Sequence, residues 1–133
     1  MIALHPRRAI GLAVYVAVVL WLTWMPASEL SRLRVNSLLL DMAHIPLFGG
    51  LALLAFWSVI GPFRVRIVTV AVSCVSFAAL DEWAQRFAPR RVPTLEDFAA
   101  DCAGIGLGLA LGLVFNRGSV AAGPESQKGG SGS

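Results

Sequence analysis

The sequence predicts an all-α protein, a four-transmembrane-helix bundle with short loops. Three observations predict it. Of the 133 residues, 56% are hydrophobic and only 14% charged, with a mean hydropathy of +0.71. The apolar residues gather into four long stretches, and Pro, Gly and Arg punctuate the gaps between them. A soluble domain carries about a quarter charged residues, so the deficit marks lipid as the main solvent. The length allows one domain.

The first span is predicted from about Ala9 to Met25, ending before Pro26, with Trp21 and Trp24 near the membrane interface. Tryptophan settles there because its ring is apolar while its N–H needs a partner. This stretch follows Arg7-Arg8, as a signal peptide would, but it lacks a small-x-small cleavage site and three more spans follow, so it is read as a retained helix. A polar loop, Ala27 to Ser37, leads to the second span, about Leu38 to Ile60, which Gly61-Pro62 closes. Arg64 and Arg66 mark a brief turn before the third span, roughly Ile67 to Gln85. Two prolines keep the segment from Arg86 to Pro93 out of a regular helix. The fourth span covers about Thr94 to Phe115. At about 17 to 23 residues, each span can cross a hydrocarbon core of roughly 30 Å, the first only just. The membrane domain is thus residues 1–117. From Gly118 the composition turns to Gly, Ser and Ala, which cannot bury enough surface to fold, and the final Gly-Gly-Ser-Gly-Ser reads as an added linker.

Charge narrows the functional classes. The net charge of +3 comes from arginines flanking the spans, with no basic run suited to nucleic acid. Cys74 and Cys102 lie in apolar stretches, where a thiol acts as a small hydrophobe, and two such residues define no disulfide framework. Four spans put both termini on one side. Without Lys128 in the tail, five arginines lie on that side (Arg7, Arg8, Arg64, Arg66, Arg117) and five on the other (Arg32, Arg34, Arg86, Arg90, Arg91). The positive-inside rule therefore gives no orientation. The acids are uneven: apart from Glu125 in the tail, all seven lie on the side of the 1–2 and 3–4 loops.

Alternating helix direction brings three segments to that face: the head of the second span (Asp41, His44), the foot of the third (Asp81, Glu82, Gln85) and the head of the fourth (Glu96, Asp97, Asp101). An Asp at the centre of a membrane helix costs roughly 2.5–3.5 kcal/mol on insertion scales. The cost falls near an interface, but His44 and Asp101 sit about a turn inside their spans, so they should face the bundle and find partners. Asp97 and Asp101 share a helix face, as do Asp81 and Gln85. Arg90 and Arg91 are the natural counter-charges, since a guanidinium pairs a carboxylate in bidentate fashion.

Each feature has a structural reading beside the functional one. Thr94-x-x-Asp97 is a helix-start pattern, with Thr94 as cap and Asp97 at the positive end of the dipole. Gly104, Gly108 and Gly112 recur every four residues, a spacing that lets another helix, including one from a second copy of the chain, pack closely. His44 can simply hydrogen-bond a carboxylate. A metal site from His44 with Asp and Glu is conceivable, but with neither an HExxH motif nor a second histidine nearby the signal is weak, so no metal and no cofactor are expected.

The arrangement resembles the VanZ-like family of small bacterial membrane proteins. Asp41-x-x-His44 followed by Phe48-x-x-Leu51 is similar to the family's histidine block. The order Asp81-Glu82-x-x-Gln85, Pro89-x-Arg91, Thr94-x-x-Asp97, Asp101-x-x-Gly104 and Gly108 matches the family pattern of acid-Glu-x-x-Gln, Pro-x-Arg, Ser/Thr-x-x-Asp and Asn-x-x-Gly-x-x-x-Gly. The chain departs from it at Asp101, where asparagine is usual, and at Asp41, which replaces a lysine. The resemblance covers roughly residues 9 to 116. It implies a four-helix protein of the bacterial cytoplasmic membrane, with a founding member linked to low-level resistance to the lipoglycopeptide teicoplanin. It also implies a polar cluster at the outer leaflet, hence cytoplasmic termini.

The expected function is binding or processing of an amphiphile: a membrane lipid, a lipid-linked envelope intermediate or a lipoglycopeptide tail. His44 with Asp81 or Glu82 would act as general acid or base. Arg90 and Arg91 would hold a phosphate or carboxylate, with Asp41, Gln85, Asp97 and Asp101 completing the binding site. The alternative is a non-catalytic accessory subunit whose polar cluster is an ion-pair network fixing helix register. A channel is disfavoured because the inner halves of all four spans are apolar.

Overall fold

The computed structural model describes the backbone of residues 1–25, 37–87 and 94–121, and the side chains of residues 1–25, 42–87 and 94–116. It is mostly helical. Four helices follow one another: α1 (Pro6–Thr23), α2 (Ser37–Ser58), α3 (Phe63–Gln85) and α4 (Leu95–Ala121). Among them α1, α3 and the Leu95–Asn116 part of α4 are long and apolar enough to cross a membrane, and α2 contributes a shorter apolar stretch, Met42–Ser58.

The helix ends differ from the expected spans for local reasons. The first helix begins at Pro6, not Ala9, because proline suits the first helical position, where its missing N–H has no partner to lose. Arg7 and Arg8 therefore lie in its first turn. At its other end, α2 stops at Ser58 and not at Ile60. Val59–Ile60 instead form a short strand, β2, that pairs antiparallel with β1 (Ala3–Leu4). The His5 N–H donates to the Ser58 carbonyl at 2.9 Å, which supplies a partner for one of the last helical carbonyls. Pro62 precedes α3 with extended backbone angles, so Arg64 and Arg66 belong to the first turn of that helix and not to a separate turn. At α4 the expected start is found: Thr94 Oγ1 accepts the Asp97 N–H at 3.1 Å, with Glu96 and Asp97 at the positive end of the dipole. This helix continues past Gly118 to Ala121, beyond the expected end of the membrane domain.

Packing is organised around α2 and α4, which form the most extensive pair. The core residues of α2, Phe48, Leu51, Ala52, Ala55 and Phe56, recur at helical spacing and are all buried. On α4 the face toward them is glycine. A Cβ on Gly104 would overlap the Ile45 carbonyl, one on Gly108 would overlap the Gly49 carbonyl, and one on Gly112 would meet the Phe56 ring at 2.7 Å. These contacts advance together along both chains, so α2 and α4 run in the same direction, nearly backbone to backbone. The glycine ladder is thus used inside one chain, in front of α2. Gly106, on another face, has open space around it.

The outward faces are apolar. Ile10, Val14 and Val18 of α1, Val68, Val72 and Leu80 of α3, and Leu107, Leu111 and Val114 of α4 are all exposed. Contiguous exposed apolar surface of this kind is rare on soluble monomers, and lipid covers it at no cost. At the end of the bundle holding the N terminus, arginines tie the helices together. Arg8 Nη1 donates to the Trp57 carbonyl at 2.9 Å, and Arg66 Nη2 donates to Asn116 Oδ1 at 3.1 Å. The Arg66 guanidinium also lies 3.9 Å from the centroid of the Phe56 ring.

Candidate functional site

The opposite end carries the acids. Because α2 and α4 are parallel, both begin there, and the positive ends of two helix dipoles point toward the same region. His44 lies one residue before Ile45, and Asp101 three before Gly104, so the closest backbone approach of the two helices also brings these side chains together. His44 Nδ1 and Asp101 Oδ1 are 2.8 Å apart. The imidazole lies parallel to the Phe48 ring one turn on, with centroids 6.4 Å apart. Between them Pro46 sits inside α2, where its missing N–H leaves the Met42 carbonyl without its helical donor.

Glu82 reaches the same place from α3. Ligand atoms of His44, Glu82 and Asp101 lie within 4.8 Å of one another, and all three residues are buried. Glu82 is 8% exposed and Asp101 fully buried. Neither oxygen of Glu82, nor Oδ2 of Asp101, has a hydrogen-bond partner among the described residues. Buried carboxylate oxygens left this way are costly, so this end of the molecule has three strong acceptors waiting for a donor or a cation.

Asp81 goes elsewhere. Adjacent residues on a helix point about 100° apart, so Asp81 turns toward α1 while Glu82 turns toward α2 and α4. Thr23 Oγ1 donates to Asp81 Oδ1 at 3.2 Å and Trp24 Nε1 to the same oxygen at 2.9 Å. Gln85 Nε2 donates to Asp81 Oδ2 at 3.1 Å, the pairing expected from their spacing. Asp81 is therefore a buried acceptor that joins α1 to α3. Of the two acids expected beside His44, Glu82 lies near it and Asp81 does not, and the hydrogen bond of His44 goes to Asp101. The Trp24 N–H, expected to need a partner, donates to Asp81.

Asp97 is half-buried, on the face of α4 it shares with Asp101, and Glu96 is exposed. The side chain of Asp41 and the residues Arg90 and Arg91 lie outside the described residues, so the counter-charges expected from the Pro89-x-Arg91 segment lie there too.

A cleft of about 320 Å³ opens beside the cluster, between the foot of α3 and the head of α4. Its walls are Ala79, Trp83, Leu95 and Phe98, with Glu82, Arg86 and Thr94 as polar groups. Glu82 belongs to both the cluster and the cleft. Arg86 and Trp83 escaped the sequence reading, which treated Arg86 as one more loop arginine. The signal was the i, i+4 spacing of Glu82 and Arg86, which places them on one side of α3. Chemically, the set offers a histidine oriented by a carboxylate, a second buried carboxylate, and an apolar cleft with one guanidinium. It also offers one nitrogen and two carboxylate ligands to a metal ion, a set conceivable from the sequence but not expected there for want of a motif. No known family model, curated protein or solved structure matches this chain.

Proposed function

We propose that this chain is a VanZ-like protein of the bacterial cytoplasmic membrane that binds or processes an amphiphile of the cell envelope at the polar end of its bundle. On this reading all four helices span the bilayer. The 22 residues of α2 extend about 33 Å at the helical rise, enough for a hydrocarbon core of roughly 30 Å. One observation carries the proposal: Glu82, from the buried set with His44 and Asp101, also lines a cleft whose other walls combine Trp83, Leu95 and Phe98 with Arg86. Such a cleft suits a molecule with an apolar tail and an anionic head, whose head Arg86 would pair.

His44 would serve acid–base work in the tautomer that donates its Nδ1–H to Asp101, because Nε2 would then keep its lone pair. Arg90 and Arg91 would add positive charge around the head group. Asp81 favours a structural role, since three donors already hold it. The test is tolerance to teicoplanin in a bacterium expressing the chain. Wild type should raise tolerance, and His44→Ala should abolish the rise at equal membrane abundance; equal tolerance with His44→Ala removes the histidine from the function.

A further inference from the structure

We infer that His44, Glu82 and Asp101 form a binding site for one divalent transition-metal cation. Charge is the first argument. In the ligand form, with both carboxyls ionised and the imidazole neutral, the three residues would carry two negative charges in a buried place, and a divalent ion would bring the sum to zero. The second argument is the orphaned acceptors: both oxygens of Glu82 and Oδ2 of Asp101 are buried without a donor among the described residues. The third is distance. The ligand atoms already lie within 4.8 Å of one another, and ligands about 2.0–2.1 Å from a tetrahedral ion are about 3.3 Å apart.

The donor types select the class of ion. Magnesium and calcium prefer all-oxygen shells, whereas an imidazole with carboxylates suits zinc and its neighbours in the first transition row. Three protein ligands also leave a coordination position open, as in catalytic and not structural zinc sites. Glu82 lines the cleft, so that position is available to water or to an oxygen atom of a molecule bound there. The ion would hold His44 by a ring nitrogen, and that nitrogen would then be a ligand and not an acid or base. The inference stands on the donor set alone and does not require an amphiphile in the cleft.

The test uses the full chain in detergent, stripped with a chelator and titrated with zinc and, separately, with cobalt(II). Wild type should take up one zinc per chain and gain thermal stability from it. His44→Ala, Asp101→Asn and the near-isosteric Glu82→Gln should each weaken uptake at least tenfold, and His5→Ala should leave it unchanged. The cobalt form of the wild type should show d–d bands without a thiolate charge-transfer band, which decides the question even where a variant fails to fold. Absence of stoichiometric uptake, undiminished uptake by Glu82→Gln, loss of uptake in His5→Ala, or a thiolate band assigning the ion to Cys74 or Cys102 would each overturn the inference.

Discussion

At the residue scale, two adjacent acids on α3 have opposite fates. Asp81 accepts hydrogen bonds from Thr23, Trp24 and Gln85, whereas Glu82 meets no donor among the described residues. Removing the Asp81 carboxylate takes the acceptor from Trp24 Nε1 and Gln85 Nε2, while the Thr23 hydroxyl keeps the Leu20 carbonyl at 3.3 Å. Asp81→Ala should therefore destabilise the fold by about 1–3 kcal/mol, the usual cost of buried groups left unpaired. Thermal unfolding in detergent measures this, and zinc uptake by the molecules that remain folded should be unchanged. Glu82→Gln should do the reverse, leaving the unfolding temperature of the metal-free protein close to that of wild type while weakening uptake. That both residues lie at the polar end of the bundle was legible in the sequence, from the alternating direction of the spans. Which partner each one takes was not. That choice depends on how α3 is rotated against its neighbours, and no spacing within α3 reports it.

At the element scale, the α2–α4 pair sets the geometry of the site. The ladder of Gly104, Gly108 and Gly112 announced close helix packing from its spacing alone, and close packing is found. The parallel direction of the two helices followed from alternating spans, but that they are direct partners emerged only in three dimensions, and with it the hydrogen bond of His44 to Asp101. Gly108→Ala places a Cβ against the Gly49 carbonyl, so the helices must separate. This should cost about 1–3 kcal/mol of stability, the range for overpacking a tight contact, and should lower zinc uptake by loosening the His44–Asp101 pair. Gly106→Ala, with nothing within 4 Å of the added carbon, should be neutral or slightly stabilising. Paired measurements of unfolding and uptake on these two variants separate packing from helix propensity. The β1–β2 pair shows the limit of pattern reading: each strand has two residues, too few for any alternation to be seen.

At the scale of the whole molecule, the two ends of the bundle are chemically distinct. Arg8 and Arg66 secure one end through Trp57, Phe56 and Asn116, and the other holds the buried acids and the cleft. The four apolar stretches were readable because lipid tolerates apolar residues on every helix face, which gives long uninterrupted runs. Orientation was not readable, since the flanking arginines balance. If the polar end faces the outer leaflet, Ser31→Cys should react with a membrane-impermeant thiol reagent in intact cells and Ser119→Cys should not. The opposite pattern would place the site at the cytoplasmic face. The central claim is that this end is a ligand site and not only a set of helix ties. Native mass spectrometry of the chain released from detergent tests it most directly. Wild type should retain an anionic amphiphile, and the Trp83→Ala, Arg86→Ala double variant, unfolding at the same temperature, should have lost it. Equal retention by both proteins, or none by either, would contradict the claim.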